Sequence, residues 1–398
     1  MLDLAIRGAT LVTAEGMQRA DLGITGGRVA RIADAITDAA RTIEADGLWL
    51  LPGGVDSHCH IEEPNPDGTV NEESFESASR SALAGGTTSV VCFVPQWKGQ
   101  GILPRLDDQM RRARAAMVDV AFHQIITDPT DDVILREIPE AVARGVRSLK
   151  VFLTYEEMHV TDAQVLRVLE AAKRHGCLVT VHCENYDAIR ANTAALLAAG
   201  HTAPRYHATS RPPVVEREAT HRAIALAEMV GAPIQVFHVS CAEAAEEIAR
   251  AQARGVAVHG ETCPQYLTLT AADMDRPGFE GAKYMCSPPP RDADEHDRVW
   301  AMIRRGVLDV VSSDHCAFSY EGPHGKRRHG ADASFDRIPN GIPGLAARLP
   351  LLFSEGVSAG RITPEQLVRL TSTSPARLMG LWPRKGGLHV GADADAVL

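Results

Sequence analysis

From Pro52 to about Met379, short apolar runs rich in β-branched residues alternate with longer stretches whose apolar residues recur every three or four positions. The first pattern predicts strands and the second amphipathic helices. The strands fall at 55–58, 87–94, 118–126, 146–153, 178–183, 234–239, 256–261 and 308–313. The helices fall between them, at 72–84, 105–116, 131–143, 161–175, 216–230, 242–254 and 292–305. Gly85-Gly86, Gly145, Gly176, Gly231, Gly255 and Gly306 follow helices, where glycine supplies a left-handed cap. Eight strands alternating with helices predict an α/β protein with a (β/α)8 TIM barrel. A doubly wound sheet lacks support, because no glycine-rich phosphate loop follows the first strand.

The first fifty residues have a different texture. LAIRGATLVT and DLGITGGRVARIA read as short strands, with Gly26-Gly27 as a hairpin turn. From Lys385 to Leu398 the chain returns to β texture. Residues 1–51 and 385–398 are therefore expected to build one small β-sandwich domain, leaving 52–384 to the barrel. The chain stops inside the apolar run Ala396-Val397-Leu398, as though a tail were missing.

The composition narrows the class. Among 398 residues, 45% are apolar, enough for a large core. The net charge of −10 and a pI near 5.9 argue against nucleic acid or an anionic membrane as partner. Lys326-Arg327-Arg328 is a short basic run, and its Gly/His-rich surroundings read as a solvated loop rather than a binding patch. No apolar run is long enough to span a membrane, and MLDLAIRGAT lacks the apolar core of a secretory signal. The eight cysteines have no disulfide-framework spacing, which suits a reducing, cytoplasmic setting.

The candidate chemistry lies at the strand ends. His58 and His60 close the first strand, two residues apart and so on one face. His182 closes the fifth strand, His238 the sixth, and Asp314 follows the eighth. Lys150 lies within the fourth strand and alternates with its neighbours so as to share the inward face of Phe152. Any one such histidine among sixteen is more often a hydrogen-bonded core residue, and any one such lysine more often meets a carboxylate. Six ligand-type residues on five strands of one barrel make a metal centre the better reading. Imidazoles and a carboxylate suit zinc, or another divalent transition metal.

The segments GGVDSHCH, SLKVFLTY, VTVHCEN, FHVSC, GETCPQYL, CSPPPR, SSDHCAF, IPNGIPG and SPARLMGLWPRKGGLHVGADAD resemble the cyclic amidohydrolases of the hydantoinase and dihydropyrimidinase family, in the family's order. The resemblance implies two divalent metals: one on His58, His60 and Asp314, the other on His182 and His238, bridged by a carboxylated Lys150. It assigns Tyr155, five residues past that lysine, as oxyanion donor and Asp314 as proton carrier. It also gives backbone groups of Ser287 and Asn340 the ring amide to hold. The implied reaction opens a 5-substituted hydantoin or a 5,6-dihydropyrimidine to an N-carbamoyl amino acid. A homo-oligomer, a tetramer or dimer, rests on the resemblance alone.

Rival readings remain within this family. Tyr155 disfavours allantoinase, and no arginine closely follows His60 to clamp the carboxylate a dihydroorotase needs. The related non-catalytic scaffold proteins have lost metal ligands, whereas all six positions are filled here. The loops IEEPNPDGTVNEESF and FVPQWKGQ depart from the family's pattern, which leaves the ring substituent open.

Overall fold

Residues 1–64 and 71–398 are described by a computed structural model of the chain. Positions 65–70 of the acidic loop after the first predicted strand lie outside the described residues. The central element is a nine-stranded sheet in which every pairing is parallel. Its strands run Val310–Val311, Val258–Thr262, Ile234–Val236, Leu178–His182, Ser148–Phe152, Asp119–Ile125, Thr87–Val94, Gly54–His60 and His315–Cys316. The two outermost strands are separated only by Ser312, Ser313 and Asp314, so the sheet curls back on itself in a barrel-like α/β fold.

Alternation along each strand divides the side chains between two environments. Leu149, Val151, Val179, Val181 and Val236 face outward into one large core shared with the helices. That core takes Val165, Val168 and Leu169 from Asp162–His175 and Ala219 and Ala223 from Pro213–Val230. Phe93, Ile125, Phe152 and Phe237 pack as a separate group inside the curl. Lys150 and His182 share the inward register of Phe152.

Thr161 and Gln164 form a reciprocal capping box at one helix start, and Asn185 caps another. Gly176 and Gly231 end helices in the left-handed conformation that a Cβ would disfavour.

Several predicted boundaries move. The run 308–313 contains only the strand Val310–Val311, because Asp314 takes φ +48° and breaks it before the chain resumes as His315–Cys316. The run 234–239 stops at Val236, two residues before His238 turns to φ +40°. The helix expected at 131–143 keeps its bounds, but its middle, Val133–Glu137, widens into a π-type turn before Ile138–Ala143. The helix Tyr186–Ala198 was not foreseen.

Two four-stranded sheets stand apart from the curl. One contains Leu2–Arg7, Asp21–Thr25, Arg28–Ala33 and Ala39–Glu44; the expected turn at Gly26-Gly27 joins two of these. The other pairs Trp49–Pro52 with Ala396–Val397 from the far end of the chain. Ile6, Leu22 and Val29 from the first sheet share a core with Leu11 and Leu50 from the second. Lys385 donates hydrogen bonds to Asp395 (2.7 Å) and to Asp119 of the central sheet.

Candidate active site

The carboxyl ends of the central strands open into a cavity of about 440 Å3. Such a volume suits a small-molecule ligand. His58, His60, Lys150, Tyr155, His182, His238, Ser287, Asp314 and Asn340 all line it. The sequence placed these nine on seven separated segments, and the fold brings every one to a single cavity.

Asp314 lies between the first two histidines. Its Oδ1 is 3.0 Å from His58 Nε2 and 3.5 Å from His60 Nε2. These three residues offer ligand atoms all within 4.8 Å of one another. The far nitrogens of both rings meet carboxylates: His58 Nδ1 lies 2.6 Å from Glu261 and His60 Nδ1 lies 2.5 Å from Glu63. A carboxylate behind each imidazole fixes its tautomer and turns Nε2 toward Asp314. Burial lowers both histidines' basicity, but Asp314, Glu261 and Glu63 outweigh it, and His60 is raised to about 9. Burial opposes ionisation of Asp314, yet His58 and His60 hold its carboxyl well below the usual range.

The other two histidines are held neutral. Burial, then the neighbouring cations, pushes His182 and His238 far below ordinary histidine. Their rings meet edge to face with centroids 4.3 Å apart. His182 Nε2 lies 2.7 Å from Glu184, which also accepts a 2.6 Å hydrogen bond from Arg211. Lys150 is buried among Phe93, Phe152 and Phe237, its Nζ 4.2 Å from the last ring's centroid. Burial brings it down to about 7, so near neutrality a large share is free amine.

Among the described residues, Lys150 Nζ and His238 Nδ1 are buried without hydrogen-bond partners. Orphaned buried donors and acceptors are costly. Two residues with such nitrogens, lining one cavity beside a His–His–Asp cluster, fit a metal centre larger than that cluster alone.

Tyr155 leans over His182 with ring centroids 5.2 Å apart. Burial raises its hydroxyl above the ordinary 10, despite Arg211 nearby, so the phenol remains a donor. Ser287 Oγ lies 3.2 Å from His207 Nε2, and Asn340 Oδ1 is buried without a partner among the described residues.

Glu261, Glu63, Glu184 and Arg211 were not singled out from the sequence. Glu261 carried a usable signal, since it sits near the carboxyl end of Val258–Thr262 like the other strand-end groups. The reading of Lys326-Arg327-Arg328 as a solvated loop needs correction: Lys326 is only 3% exposed, and Arg328 lines the cavity. Glycine allows the turn that sends the lysine inward, because a Cβ on Gly325 would lie 2.4 Å from the Glu321 carbonyl oxygen.

Residues 49–398 match the model of the amidohydrolase family. The chain is 44% identical over 402 residues to a D-hydantoinase of Ralstonia pickettii, covering 100% of this chain and 86% of that protein. It is 43% identical over 397 residues to a D-hydantoinase of Geobacillus stearothermophilus, covering 99% and 83%. The dihydropyrimidinase structure from Brevibacillus agri superposes with a TM-score of 0.96 at 42% identity, covering 100% of this chain and 86% of that one. An L-hydantoinase from Arthrobacter aurescens superposes at 0.89 with 30% identity, covering 99% and 86%. With family-wide similarity along its whole length and a His–His–Asp cluster at the strand ends, the chain belongs to the hydantoinase and dihydropyrimidinase branch of the metal-dependent amidohydrolases.

Proposed function

We propose that the protein hydrolyses a cyclic amide, a 5-substituted hydantoin or a 5,6-dihydropyrimidine, to an N-carbamoyl amino acid. The observation that carries this reading is the Lys150 amine, without a hydrogen-bond partner among the described residues, beside the His58, His60 and Asp314 cluster in one cavity. A free amine adds carbon dioxide and releases a proton, becoming an anionic carbamate. Carboxylated Lys150 would then bridge two ions, zinc by the donor chemistry: one held by His58, His60 and Asp314, the other by His182 and His238. Divalent ions bound there supply Lewis acidity and bring water's pKa down to about 7.

The chain's own groups carry the rest. Backbone groups of Ser287 and Asn340 hold the ring amide against the strand ends. Asp314 takes a proton from the attacking water and delivers it to the ring nitrogen as the C–N bond breaks. The water oxygen ends in the new carboxyl group, whose remaining proton is lost to solvent, so atoms balance without any redox partner. Tyr155 donates to the oxygen that gains charge on the way.

Around this site, residues 1–51 and 385–398 are taken as one β-sandwich domain and 52–384 as a (β/α)8 barrel. The shared core of the two small sheets supports that division. Eight free cysteines suit a reducing cytoplasm. No helix among the described residues is long and apolar enough to cross a membrane. A homo-oligomer, tetramer or dimer, completes the reading.

A panel of hydantoin, phenylhydantoin, dihydrouracil, allantoin and dihydroorotate tests the function. Turnover confined to the first three is expected. Preference for allantoin or dihydroorotate would overturn the substrate assignment.

A further inference from the structure

Lys326 is a buried cation that the proposed chemistry leaves unused. It is 3% exposed, and no carboxylate pairs with it among the described residues. An ammonium in that setting is costly unless its hydrogen bonds compensate. Nζ donates to the carbonyl oxygens of Met285 (2.9 Å) and Pro339 (3.0 Å). The Gly341 N–H donates to the same Met285 oxygen at 2.9 Å. Met285 stands two residues before Ser287, and Pro339 one before Asn340. Two backbone segments distant in sequence thus meet on one ammonium, each leading directly to a residue that lines the cavity. The lysine's own backbone is tied down as well, its N–H donating to Ser319 O at 2.8 Å.

We propose that Lys326 is a positioning residue, whose ammonium clamps the 285–287 and 339–341 backbone at the spacing that grips the substrate's ring amide. The proposal rests on Ser287 and Asn340 holding that ring. Burial lowers Lys326 to about 8, so the clamp is mostly charged at neutral pH and loses its charge as pH rises through that value. The titratable groups that face it do not change charge in that window. Burial pushes the Cys286 thiol up to about 12 and the Cys316 thiol well above 9, while burial and Arg211 take His207 down to about 3.

The test compares the metal-loaded wild type with Lys326→Met by hydrogen exchange and by kinetics. Amide exchange at 285–288 and 339–342 should rise in the variant, with metal content unchanged. KM should rise about tenfold or more while kcat changes little, the pattern of lost ground-state binding. In the wild type, KM for a dihydropyrimidine that stays neutral should climb as pH passes about 8, and this holds even if the variant fails to fold. Unchanged exchange in a folded Lys326→Met, or a flat wild-type KM across that range, overturns the clamp. Faster exchange with an unchanged KM overturns Ser287 and Asn340 as ring holders, and with them the positioning role. If the wild type opens no cyclic amide, the function falls while hydrogen exchange still judges the clamp.

Discussion

Tyr155 holds φ at +70°, His238 at +40° and Asp314 at +48°, and all three line the cavity. Left-handed backbone in such residues costs on the order of 1–3 kcal/mol each and persists where the surroundings over-determine it. The strain is best understood as the cost of aiming these side chains at one point. On the proposed roles, Tyr155→Phe should lower kcat by about a hundred- to a thousand-fold. KM should change little, because the donor acts only on charge that develops in the transition state. Metal analysis should show the ions retained; a normal kcat with raised KM would make Tyr155 a packing residue. Lys150→Ala should lose both metal and activity, and short carboxylic acids should restore part of each by supplying the missing anion. A fully metallated, active Lys150→Ala protein would contradict the bridging role. Asp314→Asn should stay folded yet lose turnover, since an amide cannot carry a proton from water to nitrogen. Near-normal rates in that variant would assign the proton transfer elsewhere.

The elements explain why so much of the site could be read from the chain. Parallel strands covered on both sides are continuous apolar runs, so Thr87–Val94 and Leu178–His182 stood out with nearly correct ends. Apart from Lys150, the ligand-type residues come at or just past the carboxyl ends of those runs, which is where barrel enzymes place their chemistry. Tyr186–Ala198 was illegible for the opposite reason: it buries only Ile189 and presents no apolar stripe. The partners of the imidazoles escaped too, because Glu63 reaches His60 from a loop and nothing in its spacing announces the contact. Arg348 was equally silent. Its guanidinium is fully buried, 3.4 Å from Asp56, and it donates to Val55 O, Val311 O and Thr87 Oγ1. It therefore ties the first two strands of the curl to one of its edges. Arg348→Met should lower stability by about 3–5 kcal/mol, because Asp56 is left buried without its counter-charge. Urea unfolding measures this, and Asp56→Asn added to Arg348→Met should recover part of the loss. A single variant of unchanged midpoint would remove the strut.

At the scale of the whole molecule, Ala396–Val397 pairs with Trp49–Pro52, and Lys385 fastens the C-terminal segment to the central sheet. Nζ lies 2.9 Å from Asp393, whose carboxyl is also met by Arg384 at 2.8 Å. Burial works against ionisation of Asp393, but Lys385 and Arg384 prevail and hold it below the ordinary 3.8. A depressed carboxyl contributes stability above its unfolded pKa and loses it as pH falls through the folded value. Lys385, raised by its aspartates against burial, stays charged in both states throughout that acid range and adds no slope there. Lys385→Met should therefore flatten, without abolishing, the acid-side loss of stability below about pH 4. An unchanged acid profile would mean that the junction does not report on folding. Light scattering should find an oligomer, and a monomer at working concentration would refute that assignment.

Metal titration of the stripped protein tests the central claim most directly. With phenylhydantoin as substrate, turnover should be absent without metal, rise as zinc is added, and level off at about two equivalents per chain, the stoichiometry of a paired site. Full activity without metal, or none in the fully loaded protein, would contradict the account.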